Sequence, residues 1–324
     1  MNRLIRYIFV ALLMTTVVSC EIDGPDVEKE AISLIADVAS HDSSPMVRSS
    51  VYTGNSAVGM TAAVWFSTTM GIYTENPTPA APTFLPYRAT VKYGSNPTTV
   101  YVNPTTMENP LSYPTEGDNV YCVGLYPHTS WSSADGLTAT HTIDGTTDLM
   151  FAEQISGSWQ TPFAKQTYKH LLTWLKFEVR VTTSEAIRQW GTLKKMSIIN
   201  AHNTVSINFS QTPDNNSVIE YVGSEEEFVV MDGEQPLTIT AENVGWLLCS
   251  PCTDFKLKIT TSEVENKEVT VYLYDLDGNK ITNPQDAVGK LFIINLYFKS
   301  FNDIDATCSL IPWNEQNVDL VDNQ

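Results

Sequence analysis

What most limits the fold of this chain is the length of its apolar runs. Beyond the first few dozen residues they are short, rich in β-branched and aromatic side chains, and cut off by prolines or turn dipeptides. Ala62 to Phe66, Ala89 to Tyr93, Thr99 to Val102 and Asn119 to Tyr126 have strand composition. Pro77, Pro79, Pro82 and Pro86, none of which suits a central strand, mark the loop after the first of them. The longest regular stretch is Gln166 to Val181. There Leu171, Thr173, Leu175, Phe177, Val179 and Val181 alternate with Leu172, Trp174, Lys176, Glu178 and Arg180, the pattern of a strand with one buried side. One helix is expected, Ser184 to Trp190, with Ser184 as N-cap and Gly191 after its end.

Strand-like runs continue at 195–200, 204–209, 227–231, 237–241, 245–249, 255–260, 269–274, 291–298 and 304–311, and Asp277-Gly278 reads as a hairpin turn. Gln211 to Ser217 is polar and turn-forming throughout, the best linker in the chain. A length of 324 residues leaves room for about two domains. The expected fold class is therefore all-β, two β-sandwiches in tandem over residues 49–212 and 213–324.

The beginning of the chain has a different character. Arg3 and Arg6 precede an apolar stretch from Tyr7 to Val18, too short to span a bilayer and suited to a signal peptide over residues 1–19. Val17-Val-Ser-Cys20 resembles a bacterial lipobox, which makes Cys20 the candidate lipidation site. Residues 20–48 read as a temporary pro-segment ending at Val47-Arg48-Ser49, with Arg48 and Ser49 flanking the expected cut. Within it Ile32, Leu34, Ala36 and Val38 share one face at period two, while Ala31, Leu34, Ile35 and Val38 share one at helical period. Periodicity leaves both open; the strand-rich remainder favours a strand that fills a groove until a protease cuts behind it.

A formal charge of -18 argues against a nucleic-acid partner and against a polybasic membrane contact. Cys249-Ser-Pro-Cys252 lies between strands rather than at the start of a helix and lacks a second ligand pair. It therefore reads as a disulfide or two packed thiols, not as a redox or zinc site. Asp275-Leu-Asp-Gly-Asn279 reads as a β-turn rather than a calcium loop, because its glycine is at the fourth place and strands flank it. The five histidines have no ligand spacing, and no nucleophile elbow or phosphate loop occurs. Neither catalytic residues, metal nor cofactor are expected. Trp131 and Trp159, in turn-rich stretches, are the tryptophans most suited to a surface glycan platform; Trp65, Trp174 and Trp246 suit a core.

Thr147-Asp-Leu-Met-Phe-Ala-Glu153 followed by Tyr168-Lys-His-Leu-Leu-Thr-Trp-Leu-Lys-Phe177 resembles the central signature of fimbrillins, the lipoprotein pilins of type V pili, including the Mfa-like branch. Residues 289–298 and 305–313 are similar to the closing strands of that family. The resemblance implies two transthyretin-like sandwiches, an outer-membrane lipoprotein held through Cys20, and cutting after Arg48 by an arginine-specific protease. It further implies a surface fimbrium serving adhesion, polymerised with other pilin subunits by donor strand exchange. The segment after Trp313, with Val318, Leu320 and Val321, would be the donor strand. The alternative is a tip, accessory or anchor pilin, or a surface lipoprotein that binds a host glycan or protein without polymerising.

Overall fold

A computed structural model describes residues 34–38, 61–71, 87–91, 99–103, 113–114, 117–129, 131–132, 137–209, 218–300 and 303–311. Sixteen strands and one short α-helix make up the described chain, so the all-β class expected from the short runs is correct. The strands are β1 (Leu34–Val38), β2 (Thr61–Ser67), β3 (Tyr87–Val91), β4 (Thr99–Asn103), β5 (Val120–Tyr126), β6 (Thr138–Thr142), β7 (Met150–Gly157) and β8 (Gln166–His170). Then come β9 (Thr173–Val181), α1 (Ser184–Trp190), β10 (Thr192–Asn208), β11 (Val218–Pro236), β12 (Glu242–Cys249), β13 (Asp254–Thr261), β14 (Lys267–Tyr272), β15 (Leu291–Phe298) and β16 (Ile304–Ile311).

The N-terminal strands form a closed ring in the order β1-β4-β3-β2-β5-β7-β8. The remainder forms a sandwich of two sheets, β11-β10-β13-β14 with β6 alongside β10, and β12-β9-β15-β16. At the centre of the second sheet β9 pairs antiparallel with β12 and parallel with β15. Its alternation places Leu175, Phe177, Val179 and Val181 in the core, where Phe177 meets Phe255 of the facing sheet edge to face at 6.2 Å. On the outer side Arg180 lies over the Tyr297 ring at 4.3 Å.

The boundary expected at residue 212 needs correction. Strands β9 and β10 precede it yet belong to the C-terminal sheets, and β10 and β11 pair antiparallel up to Asn208↔Val218. The polar stretch 211–217 thus joins two strands of one sheet rather than two domains. Turn chemistry is the same in a hairpin loop and in a linker, so composition does not separate them. The expected strands at 195–200 and 204–209 fuse into β10, whose register against β11 shifts between Ile198 and Ala201 and again between His202 and Thr204. Residues 237–241 are not a strand, although Leu237 is buried. In α1 the N-cap is Thr183, not Ser184: its Oγ1 accepts from the Ala186 N–H at 3.2 Å, and Gly191 ends the helix at φ 69°.

Two apolar cores adjoin across β2, β5 and β7. Ala62, Val64, Cys122, Met150 and Ala152 point into the ring, while Ala63, Trp65, Val123, Leu125 and Phe151 belong to the core that continues through the sandwich. These strands are buried on both faces, which is why β2 reads as an unbroken apolar run instead of an alternation. Inside the ring, Gly124 makes room for Tyr168: a Cβ there would stand 2.2 Å from the phenol oxygen. Tyr168 is itself buried, so Gly124→Ala is expected to cost about 1–3 kcal/mol by overpacking. Urea unfolding of G124A with and without Tyr168→Leu measures it; an equal cost in both backgrounds would disprove the contact.

Candidate functional site

Closure of the ring depends on β1. Leu34 and Ile35 pair antiparallel with Val100 and Thr99 of β4, while Ala36, Asp37 and Val38 pair parallel with Gln166, Thr167 and Tyr168 of β8. Each half of this five-residue strand thus satisfies the edge of a different neighbour. A sandwich whose two open edges meet through one added strand becomes a ring, and without that strand both edges present unpaired N–H and C=O groups. Within residues 20–48 the described part, Leu34–Val38, is a strand. Leu34 is buried among Ala62, Val64, Tyr113, Val120, Phe163 and Tyr168. Ala36 and Val38 lie on β1, whereas Ile32, Cys20, Arg48, Ser49, Trp313, Val318, Leu320 and Val321 lie outside the described residues.

The two pieces of the central sequence motif come together beside this strand. Thr147 to Glu153 leads into β7 and Tyr168 to Phe177 spans β8 and β9; β7 and β8 pair with Met150 opposite His170. Just before β7, the fully buried Asp148 presents Oδ2 to His170 Nδ1 at 2.8 Å. The chain then crosses from ring to sandwich at Leu171-Leu172. The Leu171 N–H donates to Leu149 O at 2.8 Å, the Leu172 carbonyl accepts from Gly289 N, and the Tyr221 hydroxyl donates to the Leu171 carbonyl. The Thr173 hydroxyl donates to Ala287 O at 2.8 Å. A buried Asp148–His170 contact and four anchored groups thus fix β8, the parallel neighbour of β1. Sequence reading found no ligand spacing among the histidines and gave His170 no partner, since nothing local connects positions 148 and 170.

The tryptophans divide largely as expected. Trp65 and Trp174 are buried, Trp246 packs against the core, and Trp159 is 44% exposed. Trp131 departs from expectation: it packs on the sandwich core with its ring 4.9 Å from that of His141. His141 is buried, and its Nδ1 lies 2.6 Å from the Thr142 carbonyl, to which a protonated Nδ1 donates. Burial holds the imidazole below its ordinary pKa, outweighing the opposing effects of that hydrogen bond and of nearby Asp144. The native state therefore binds this proton less readily than the unfolded chain. The stabilisation from neutral His141 is complete above the unfolded value of about 6.5 and is lost as pH falls below it. Between the two values the slope is at most about 1.4 kcal/mol per pH unit, and His141→Gln should flatten it in urea titrations at pH 5 to 7.5.

Among the described residues, no group of three or more His, Cys, Asp or Glu side chains is placed to hold a metal ion, and no helix is long and apolar enough to cross a membrane. Asp275 accepts from the N–H groups of Asp277 and Asn279, the arrangement of the expected turn.

No family profile and no curated protein matches the chain. Solved structures do. A candidate cell adhesion protein of Bacteroides uniformis superposes with a TM-score of 0.53 at 13% identity, over 88% of this chain and 98% of its own. A fimbrial assembly protein of Parabacteroides distasonis gives 0.45 at 13% identity, over 87% and 99%. A protein of Bacteroides thetaiotaomicron described among candidate polysaccharide binding proteins gives 0.46 at 10% identity, over 79% and 91%. At this identity the first likeness shows a shared fold across nearly the whole chain.

Proposed function

We propose that this chain is a subunit of a surface fimbrium, exported as a lipoprotein through Cys20, in which β1 is a removable closing strand. The observation that carries the reading is the place of β1. It is joined to the ring by hydrogen bonds on both sides, yet its covalent link to β2 runs through Arg48, the expected cutting site. Cutting there by an arginine-specific protease would leave β1 held by its backbone pairing and the buried Leu34 side chain. Leu34 contributes roughly 1.5–3 kcal/mol of that hold. A five-residue strand so held is open to replacement by a longer one from a neighbour. The tail beyond Trp313, with Val318, Leu320 and Val321, is the donor in this reading. Its contact is head-to-tail and does not close on itself, so it propagates as a filament.

The test compares wild type, Arg48→Ala and a chain lacking residues 314–324, each treated with an arginine-specific protease and examined by electron microscopy. Filaments are expected from the wild type alone. Filaments of normal length from uncut Arg48→Ala protein would rule the mechanism out. Metabolic labelling with a fatty acid should disappear in Cys20→Ala.

The exposed Trp159 favours a second reading, a tip subunit or surface lipoprotein that captures a host glycan. Mature protein that stays monomeric after cutting, and loses glycan binding in Trp159→Ala, would support it.

A further inference from the structure

A buried amide inside the ring has incomplete hydrogen bonds. Gln166, at the start of β8, is only 1% exposed, and its side chain meets two members of the ring core. Its Oε1 accepts from the Tyr168 hydroxyl at 3.4 Å, and its Nε2 donates to Cys122 Sγ at 3.9 Å. Both contacts are weak: hydroxyl bonds to oxygen centre near about 2.8 Å, and a thiol is a poor acceptor. A carboxamide offers two N–H groups and two acceptor lone pairs, so half of the capacity of this one is unused.

The amide stands against the closing strand. Ala36 registers with Gln166, and Val38 with Tyr168, in the parallel pairing of β1 and β8. Leu34 packs in the ring core, and the two-residue period of a strand puts position 36 on the same face. An alanine brings a methyl group to that position, and a methyl group neither donates nor accepts. The Tyr168 phenol takes up the space toward Gly124, where a Cβ would stand 2.2 Å from its oxygen. Only a small side chain therefore suits the place opposite Gln166.

We infer that Gln166 is a selectivity group of the groove that β1 occupies, and that it recognises serine or threonine at the strand position registered with it. A hydroxyl at that position accepts from Nε2 and donates to Oε1, so one small group completes both sides of the amide. With Ala36 in place these bonds are unmade, and a hydroxyl-bearing strand fits the same groove better than the resident one. One net buried hydrogen bond corresponds to a preference of about two- to tenfold. The recognition is a property of the ring alone, while its bearing on partner choice rests on the proposed replacement of β1. Residues 314–324, the donor in that reading, contain neither serine nor threonine. At this position Gln166 therefore favours a strand from a second kind of subunit.

The first test uses the whole uncut chain in a Cys20→Ala, Arg48→Ala background and reads hydrogen-exchange protection at residues 34–38. Ala36→Ser should raise that protection about two- to tenfold when Gln166 is present, and should bring no gain in Gln166→Leu. Equal protection in Ala36→Ser and its parent, or the same gain in Gln166→Leu, would overturn the recognition. Gln166→Leu takes the acceptor from the Tyr168 hydroxyl, so Tyr168→Phe accompanies it if folding is impaired. The second test cuts the Cys20→Ala chain after Arg48 and adds synthetic peptides of residues 31–40, with and without Ala36→Ser. The Ala36→Ser peptide should displace β1 at a concentration about two- to tenfold lower. Equal displacement by the two peptides would overturn the selectivity. Displacement by neither, with the gain in protection intact, would overturn the replacement of β1 and leave recognition by Gln166 standing.

Discussion

Leu34→Asp should free β1 from the ring with no peptide bond cut. Its side chain is fully buried among apolar neighbours, so the substitution removes roughly 1.5–3 kcal/mol of apolar burial and sets a carboxylate against the ring interior. Five residues of strand pairing cannot compensate for that. In an Arg48→Ala background the expected outcome is loss of hydrogen-exchange protection at residues 34–38. Protection should also fall on the exposed edges of β4 and β8, the two strands that β1 joins. Under the proposed assembly mechanism this uncut protein should bind donor strands, so subunit release is separated from proteolysis. Unchanged protection of β1 amides would show that Leu34 does not hold the strand.

His170→Ala should be among the most destabilising single changes in the described chain. It leaves Asp148, fully buried and with Oδ1 already lacking a hydrogen-bond partner, without the imidazole that meets its Oδ2. Removing one member of a buried pair costs about 3–5 kcal/mol, whereas replacing both members can be close to neutral. Urea unfolding of His170→Ala, Asp148→Asn and the double variant gives the coupling. The double variant should recover a good part of the loss. Additive losses would mean that the two side chains act independently. Exchange protection of β1 in His170→Ala tells whether loosening β8 also loosens its parallel neighbour.

The parts of this architecture written in local pattern were legible in the sequence. The alternation from Leu171 to Val181 fixed both the strand and its buried face, because side chains that alternate across a sheet leave a period of two. Gly191 marked a helix end, and the turn at Asp277-Gly278 followed from its residue types. What was not legible is what joins distant positions. Parallel pairing of residues 36–38 with 166–168 leaves no trace between them. Strand β6 departs from its sequence neighbours to pair with β10 through Val205↔His141, which is why a cut at 212 looked reasonable. Asp148 and His170 both lie inside the central motif, but periodicity does not reveal that their side chains meet. Burial on both faces of β2 produced an unpatterned apolar run, which tells strand from helix poorly.

The double burial of β2, β5 and β7 has a thermal consequence. Melting the ring alone would strip one side of these strands from Phe209, which meets Phe151 at 6.2 Å, and expose the apolar side chains that the sandwich covers. Melting the sandwich alone would likewise wet the reverse of the ring wall. Neither half can lose its order while the other keeps its full stability, so a chain with two cores has the cooperativity of one, and heat should take it apart in a single transition.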